Sequence, residues 1–291
     1  MNNYIIITDN TTDFPQDYVK EHNLCQTALT VQLDGKSYNE NWIDELGEKE
    51  IYARMRNGAL PTTMQVNPEQ MKEVCLPFLK EGKDVLYLGF SSGLSGSYNS
   101  ESIGAEELRE QFPDRKIVVL DTLCASLGQG LLVHKALKLQ EAGKSMEEVI
   151  DWVENHKLDV CHYFTVDDLF HLYRGGRVSK ASAIMGTMIG IKPVLHVDNE
   201  GKLKPIAKVR GRKQSLNKLV DYMEESMGKY NTPDEEVFIS HGDCLEDALY
   251  LKELVKTRFH REASVINFIG PVIGSHSGCG TLALFFMGEK R

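Results

Sequence analysis

The segment Val85–Asn99 reads Val-Leu-Tyr-Leu-Gly-Phe-Ser-Ser-Gly-Leu-Ser-Gly-Ser-Tyr-Asn, and it indicates the fold of the chain. Val85–Phe90 is an apolar run, too short for a helix and typical of a strand buried on both faces of a parallel sheet. Small residues dominate Ser91–Ser97, and apolar residues then recur at helical spacing as far as Gln111. We therefore expect a strand, a glycine- and serine-rich turn and a helix.

Such a turn lies at the carboxyl end of its strand, directly before the amino end of a helix. Backbone N–H groups are unpaired there and the helix dipole is positive, so the arrangement favours a bound anion. Hydroxyl groups of the turn add further hydrogen-bond donors. The sequence therefore predicts an anion-binding loop at this sheet edge.

The first half of the chain alternates predicted strands and helices, which indicates an α/β domain of three layers with a mainly parallel, open sheet. Beyond Val160 the pattern includes a hairpin around Asp198–Gly201, and it predicts a second three-layer α/β domain with a mixed sheet. We place the boundary at Leu158. Residues 1–157 then form the N-terminal domain, and residues 158–291 form the C-terminal domain.

Local signals refine this outline. Ala28–Leu33 is predicted to be one strand, whereas Gly58–Asn67 and the glycine-rich Gly270–Gly280 are predicted to be loops. Asn67 and Ser145 are each followed three residues later by a glutamine or glutamate, which predicts a capping box at the start of a helix.

The composition limits the class of protein. The chain has 291 residues, of which 42% are hydrophobic and 26% charged, and no apolar run approaches the ~18 residues of a membrane span. The amino terminus shows no secretion signal, so we expect a cytoplasmic protein. The net charge of −9 argues against general nucleic-acid binding. The six cysteines form no metal-ligand pattern, and we expect reduced thiols and no metal.

The charge is unevenly distributed. Residues 174–213 contain ten basic side chains against Asp198 and Glu200. Such a segment is either a solvated surface or a docking site for an acidic partner, a phosphate or an anionic membrane.

A serine hydrolase is one alternative. Gly89-Phe90-Ser91-Ser92-Gly93 matches the G-x-S-x-G nucleophile elbow and follows a strand, and His276 lies downstream as a candidate base. Against it, Gly93 and Gly96 fall where the helix of an elbow should begin. Ser91 or Ser92 would be the nucleophile. A second alternative is a structural or regulatory module with an empty cleft.

Other motifs are less informative about function. No G-x-x-x-x-G-K-[ST] sequence is present, so nucleotide binding by this chain is not expected. Asp9 after the first strand is similar to the aspartate of phosphotransferases, but an Asn or Thr stands where the second acid is needed, and a local turn and cap explains it better. His276, between glycines and serines, and Thr62-Thr63 are candidate ligand-facing side chains.

Taken in order, these pieces resemble the DegV family of bacterial fatty-acid-binding proteins, which includes the lipid-carrying subunit of fatty acid kinase. The resemblance spans nearly the whole chain. The motifs that carry it are Thr8-Asp9, Pro61-Thr62-Thr63-x-Gln65, Ser91–Tyr98, Asp121, Asp168-Leu169 with Arg174-Gly175-Gly176-Arg177, Ile191-Lys192-Pro193, Lys208-Val209-Arg210-Gly211 and Gly274-x-His276-x-Gly278-x-Gly280.

The resemblance implies a ligand at the interface of two α/β domains and no catalysis by this chain. A long-chain fatty acid would place its carboxylate at the interdomain loops and its acyl chain in an apolar tunnel of the second domain. The implied carboxylate contacts are Thr62, Thr63, Ser92, Gly93, Ser95 and His276. The candidate tunnel residues are Ile184, Met188, Ile189, Phe268, Ile273 and Phe286.

The resemblance also implies partners. A separate kinase subunit would supply ATP and phosphorylate the bound carboxylate, and Arg174 and Arg177 are candidates for contact with that partner or with phosphate. The acyl phosphate would pass to phospholipid synthesis through an acyltransferase or a membrane surface. Three positions depart from the family pattern, namely Met64, Val66 and Cys279, and the first two border the predicted head-group loop.

Overall fold

The computed structural model describes residues 3–39, 42–167, 169–180 and 190–291. The strands are β1 (Tyr4–Asp9), β2 (Cys25–Thr27), β3 (Thr30–Leu33), β4 (Lys36–Tyr38), β5 (Thr62–Met64), β6 (Asp84–Gly89), β7 (Ile117–Asp121), β8 (Val160–Thr165), β9 (Ile191–Val197), β10 (Leu203–Arg210), β11 (Val237–His241), β12 (Val265–Phe268) and β13 (Leu282–Met287).

The helices alternate with these strands along much of the chain. They are α1 (Gln16–Glu21), α2 (Trp42–Glu45), α3 (Glu48–Arg56), α4 (Pro68–Lys80), α5 (Ser97–Gln111), α6 (Leu127–Glu141), α7 (Met146–His156), α8 (Phe170–Arg174), α9 (Arg212–Ser226), α10 (Leu245–Phe259) and α11 (Pro271–Ser277). In the described part of the chain, no helix combines the length and apolar character that a bilayer span requires.

The described residues form three sheets, which confirm the predicted α/β class. The N-terminal sheet has the order β2-β1-β6-β7 and is parallel throughout. The C-terminal sheet has the order β10-β9-β8-β13-β11-β12 and is mixed, since only β11 and β12 pair in parallel. A small antiparallel sheet, β4-β3-β5, lies beside them.

Some local predictions hold and others are wrong. Asn67 and Ser145 form the expected capping boxes at α4 and α7. The predicted strand Ala28–Leu33 is shorter in the structure, where β3 begins at Thr30, and a separate strand, β2, ends at Thr27 and pairs with β1. The predicted loop Gly58–Asn67 contains β5, whose three residues are too few to show a periodicity.

The predicted loop Gly270–Gly280 is also wrong, because it contains helix α11. Pro271 occupies the first turn, where its missing N–H group costs nothing, and Gly278, with φ of 86°, ends the helix. The glycines and serines of the segment have weak helix propensity, so the helix depends on packing that the local sequence does not reveal.

One hydrophobic core runs through both halves. It joins side chains of the N-terminal sheet, such as Leu86 and Leu88, to Phe238 and Phe285 of the C-terminal sheet through helix α6. A second core, which includes Leu216, Leu251 and Phe286, fills the opposite face of the C-terminal sheet. The division into domains at Leu158 stays a prediction; Leu158 lies two residues before β8.

Strand β10 is an edge of the C-terminal sheet. Its side chains alternate between half-buried and exposed from Leu203 to Arg210. The exposed positions are Lys204, Ile206, Lys208 and Arg210. The basic segment predicted from the sequence therefore presents part of its charge along a sheet edge.

Candidate functional site

A cavity of about 180 Å³ lies between the C-terminal sheet, helix α11 and the carboxyl-end loops of the first half of the chain. Most of its wall is apolar. The apolar side chains are Leu29, Phe90, Leu94, Ala125, Phe164, Leu172, Val197, Leu203, Ile269, Val272, Ile273, Ala283 and Phe285. The polar side chains in the wall are Thr63, Gln65, Ser95, Ser126, His162, Arg177, His276, Ser277 and Thr281.

Thr63 and His276 form the centre of a polar cluster in the cavity wall. Thr63 Oγ1 and His276 Nε2 share a hydrogen bond of 2.7 Å. Strand β5 presents Thr63 to the cavity, whereas its neighbours Thr62 and Met64 are exposed, because successive side chains of a strand point to opposite faces. On α11, His276 lies one turn after Val272, so both face the cavity.

His276 is neutral at pH 7. Burial lowers its pKa to about 3, and the nearby positive charges of Arg177 and Arg174 act in the same direction. A neutral imidazole still offers one donor and one acceptor nitrogen, and its hydrogen bond to Thr63 uses one of them. His276 therefore orients the Thr63 hydroxyl without itself adding a positive charge.

The two arginines bring positive charge to this cluster. Arg177 Nε donates to Leu94 O at 3.0 Å, and burial lowers the pKa of Arg177. Arg174 Nη2 donates to Pro61 O at 2.9 Å and to Ser275 O at 3.1 Å. Within the described parts of the chain, no carboxylate forms an ion pair with either side chain. Uncompensated charge beside an apolar cavity favours an anionic group.

The glycine- and serine-rich turn contributes Ser95 and Gly96 to the cavity wall. Ser95 Oγ lies 3.0 Å from Ser97 Oγ and accepts a hydrogen bond from Ser97 N. A side chain at Gly96 would overlap Gln65, whose amide donates to Ser100 Oγ at 2.8 Å. The turn therefore packs closely against Gln65, the residue that follows strand β5.

Three of the predicted carboxylate contacts do not line the cavity. Thr62 is exposed on the other face of β5. Ser92 is exposed, and its backbone N–H donates to Asp121 Oδ1 at 3.1 Å. Gly93 packs against the β9–β10 hairpin, where an added Cβ would lie 2.6 Å from Glu200 O. Thr63, Ser95 and His276 do lie together in the cavity wall.

The elbow serine has a structural partner. Ser91 is fully buried; its hydroxyl donates to Gly201 O at 2.8 Å and accepts from Gly93 N at 3.2 Å. The imidazole of His276 is bonded to Thr63 instead. The pairing of nucleophile and base that a serine hydrolase needs is therefore not formed by Ser91 and His276.

Of the predicted tunnel residues, Ile273 lines the cavity. Phe286 lies in the core on the opposite face of the C-terminal sheet, and its neighbour Phe285 faces the cavity instead, as the alternation of a strand requires. Phe268 packs against Tyr52 in a separate cluster. Ile184, Met188 and Ile189 lie outside the described residues, as does Asp168.

The sequence did not reveal several cavity residues, because both faces of these strands are buried. His162 and Phe164 on β8 and Ala283 and Phe285 on β13 share the cavity face by alternation. A period of two is present in these runs, but apolar residues occupy both phases. Arg177, which was predicted to contact a partner or phosphate, lies in the cavity wall.

Asp13 supports the helix that carries His276. Its Oδ1 accepts from the backbone N–H of Gly270 at 2.9 Å, directly before α11, and its Oδ2 accepts from Ser126 Oγ. Burial raises the pKa of Asp13 to about 8. Asp9 is likewise enclosed: it accepts from Phe90 N at 2.9 Å and from Gln129 Nε2 at 3.1 Å. Both acids fix cavity residues in place.

Comparison with known proteins gives a match along nearly the whole chain. The model of the DegV family, described as an uncharacterised protein family, matches residues 3–289. A DegV domain-containing protein from Clostridium perfringens is 43% identical over 291 residues, which cover 100% of this chain and 99% of the relative.

Solved structures that are similar in fold and sequence include two from other bacteria. A DegV family protein from Thermus thermophilus, described as fatty acid binding, is 32% identical with a TM-score of 0.87, and the alignment covers 98% of this chain and 99% of that one. DegV from Bacillus subtilis, described as a fatty acid binding protein, is 30% identical with a TM-score of 0.83 over 99% and 100% of the two chains.

Proposed function

This chain belongs to the DegV family, and from that premise we propose that it binds a long-chain fatty acid in the cavity between its C-terminal sheet, helix α11 and the loops of the first half. The observation that carries the proposal is the combination of an apolar cavity with a polar cluster of Thr63, Ser95, Arg177 and His276. A fatty acid matches this combination, because it has an apolar acyl chain and a charged carboxylate at one end. The descriptions of the Thermus and Bacillus relatives support the assignment.

The carboxylate is assigned to the polar cluster. The hydroxyls of Thr63 and Ser95 are donors there, and Arg177 supplies a positive charge that no described carboxylate neutralises. Each hydrogen bond to a charged acceptor contributes about 1.5–3 kcal/mol. These bonds determine which end of the ligand lies at the cluster.

The acyl chain is assigned to the apolar wall formed by the C-terminal sheet and α11. Burial of each CH₂ contributes about 0.8 kcal/mol, so a sixteen-carbon chain gains roughly 12 kcal/mol before the cost of ordering it. The tail therefore dominates the affinity, and the polar cluster fixes the orientation.

The polar cluster is also the proposed point of transfer. A separate kinase subunit supplies ATP and phosphorylates the carboxylate, and the acyl phosphate then enters phospholipid synthesis through an acyltransferase or at a membrane surface. Two features support this step: the sequence has no P-loop, and Gly96 and Gly176, which flank the cluster, are exposed to solvent. The chain acts as a carrier in the cytoplasm and performs no catalysis itself.

The first experiment is mass spectrometry of an organic extract of the denatured protein, purified from a bacterial host. We expect near-stoichiometric fatty acid. The variant Thr63→Val with His276→Ala should lose at least ten-fold in affinity, because the oriented hydroxyl is removed.

Thr62→Val is the matched control, since Thr62 is the same residue type, one position away and exposed. It should bind as the wild type does. An extract without lipid, even after excess fatty acid is added, would overturn the proposal. Equal affinity of the double variant and the wild type would overturn the site.

A further inference from the structure

Ser277 is a polar residue of the cavity wall that has no role in the sequence motifs or in the proposed function. It is only 5% exposed, and it is the last residue of α11, directly after His276. Its hydroxyl oxygen has no hydrogen-bond partner among the residues that the structure describes. A buried hydroxyl without a partner destabilises the folded protein, because it has lost its hydrogen bonds to water and gained none in return.

Ser275, on the same helix, shows what a buried serine normally does. Its hydroxyl donates to Pro271 O, four residues earlier, at 2.6 Å. This back-bonding satisfies a helical serine locally and needs no other group. Ser277 could form the corresponding bond to Ile273 O, but its hydroxyl does not do so.

Three other polar wall residues beyond the Thr63–His276 pair are already bonded within the protein. Ser126 Oγ donates to Asp13, Thr281 Oγ1 donates to Ser277 O at 2.9 Å, and His162 accepts from Ala125 N at 3.2 Å. Ser277 differs from them because its own hydroxyl is left unbonded. An unused donor in a ligand cavity indicates a ligand acceptor.

We infer that Ser277 is a further ligand-binding donor, whose hydroxyl bonds to an oxygen of the fatty-acid carboxylate. This inference rests on the proposed function. A carboxylate has two oxygens and about four acceptor positions, so it can take a bond from the Thr63 side and another from Ser277. The two donors would then hold the carboxylate from α11 and from β5, on opposite halves of the molecule.

The test compares Ser277→Ala with Ser275→Ala, using palmitate and hexadecanol as probes. Ser277→Ala should weaken palmitate binding about ten-fold, leave hexadecanol binding unchanged and leave the stability of the lipid-free protein unchanged or higher. Ser275→Ala should leave both affinities unchanged and lower the stability of the lipid-free protein, because it removes the bond to Pro271. Ser277→Cys, which is close in size but a weak donor, should reproduce the loss of palmitate affinity.

Unchanged palmitate affinity in Ser277→Ala and Ser277→Cys would overturn the inference while leaving the proposed function intact. An equal loss for palmitate and hexadecanol would also overturn it, because hexadecanol has no carboxylate. A wild-type protein that binds neither probe after its lipid is extracted would instead overturn the proposed function.

Discussion

At the scale of single residues, the cavity depends on a histidine that stays uncharged. Burial and two nearby arginines hold the pKa of His276 at about 3, so it is neutral across the physiological range. A charged imidazole would add to the positive charge of Arg174 and Arg177. A neutral one can take part in the hydrogen bond to Thr63 without repelling them.

This lowered pKa predicts the acid sensitivity of the lipid-free protein. The imidazole takes up its proton near pH 6.5 when unfolded but only near pH 3 when folded. The unfolded state therefore binds more protons between these values, and stability falls as the pH is lowered, by at most about 1.4 kcal/mol per pH unit. His276→Asn should make the decline between pH 6.5 and 5 shallower in urea denaturation.

His260→Asn is the control for that series. His260 is exposed and has a φ of 55°, a conformation that asparagine adopts readily. The stability of the His260→Asn variant should depend on pH in the same way as that of the wild type. If His276→Asn and the wild type lost stability in parallel, the neutral assignment of His276 would be wrong.

At the scale of secondary-structure elements, strand β13 separates cavity from core by alternation. Phe285 faces the cavity, and Phe286 is fully buried in the core that α9 and α10 cover. The same substitution at the two positions should therefore have different effects. Phe285→Leu should shift the bound fatty acids toward longer or bulkier chains, because it enlarges the cavity.

Phe286→Leu should lower the free energy of unfolding by about 1–2 kcal/mol and leave the lipid composition unchanged. Extraction with mass spectrometry and urea denaturation measure the two effects. A change of lipid composition in Phe286→Leu alone would mean that the strand faces are assigned the wrong way round.

The secondary-structure elements also differ in whether they could be predicted from the sequence. The buried strand, the turn and the helix around Ser91–Ser97 could be predicted because hydrophobicity and small residues change there within a few positions. Helix α11 could not, since its glycines and serines lack helix propensity and its position is fixed by distant contacts such as Asp13 to Gly270. The sequence could not distinguish Phe286 from Phe285 as a cavity residue, because Leu282–Met287 is buried on both faces.

At the scale of the whole molecule, the two halves meet where the β9–β10 hairpin covers the turn after β6. Ser91 donates to Gly201 O in this contact, and Val197 and Leu203 beside the hairpin turn line the cavity. The hairpin thus closes part of the cavity against the first half of the chain. The elbow-like motif read from the sequence serves this contact.

Ser91→Ala should therefore lower the free energy of unfolding by about 1–3 kcal/mol, because the buried carbonyl of Gly201 and the N–H of Gly93 lose a partner. It should also speed the release of bound fatty acid, measured by transfer of a fluorescent analogue to vesicles. Ser92→Ala, at an exposed position, is the matched control and should change neither quantity.

Neither the wild type nor Ser91→Ala should hydrolyse p-nitrophenyl esters. Turnover that disappears in Ser91→Ala would restore the hydrolase alternative.

The exposed edge of the C-terminal sheet has a consequence for colloidal behaviour. The free backbone groups of an edge strand are a template on which another chain can add, and lysine side chains along such an edge hinder that addition. Strand β10 carries Lys204, Lys208 and Arg210 on its exposed positions. Replacing them with uncharged residues would leave the fold in place but remove a barrier to fibrillar aggregation, so these cations help to keep concentrated protein in solution.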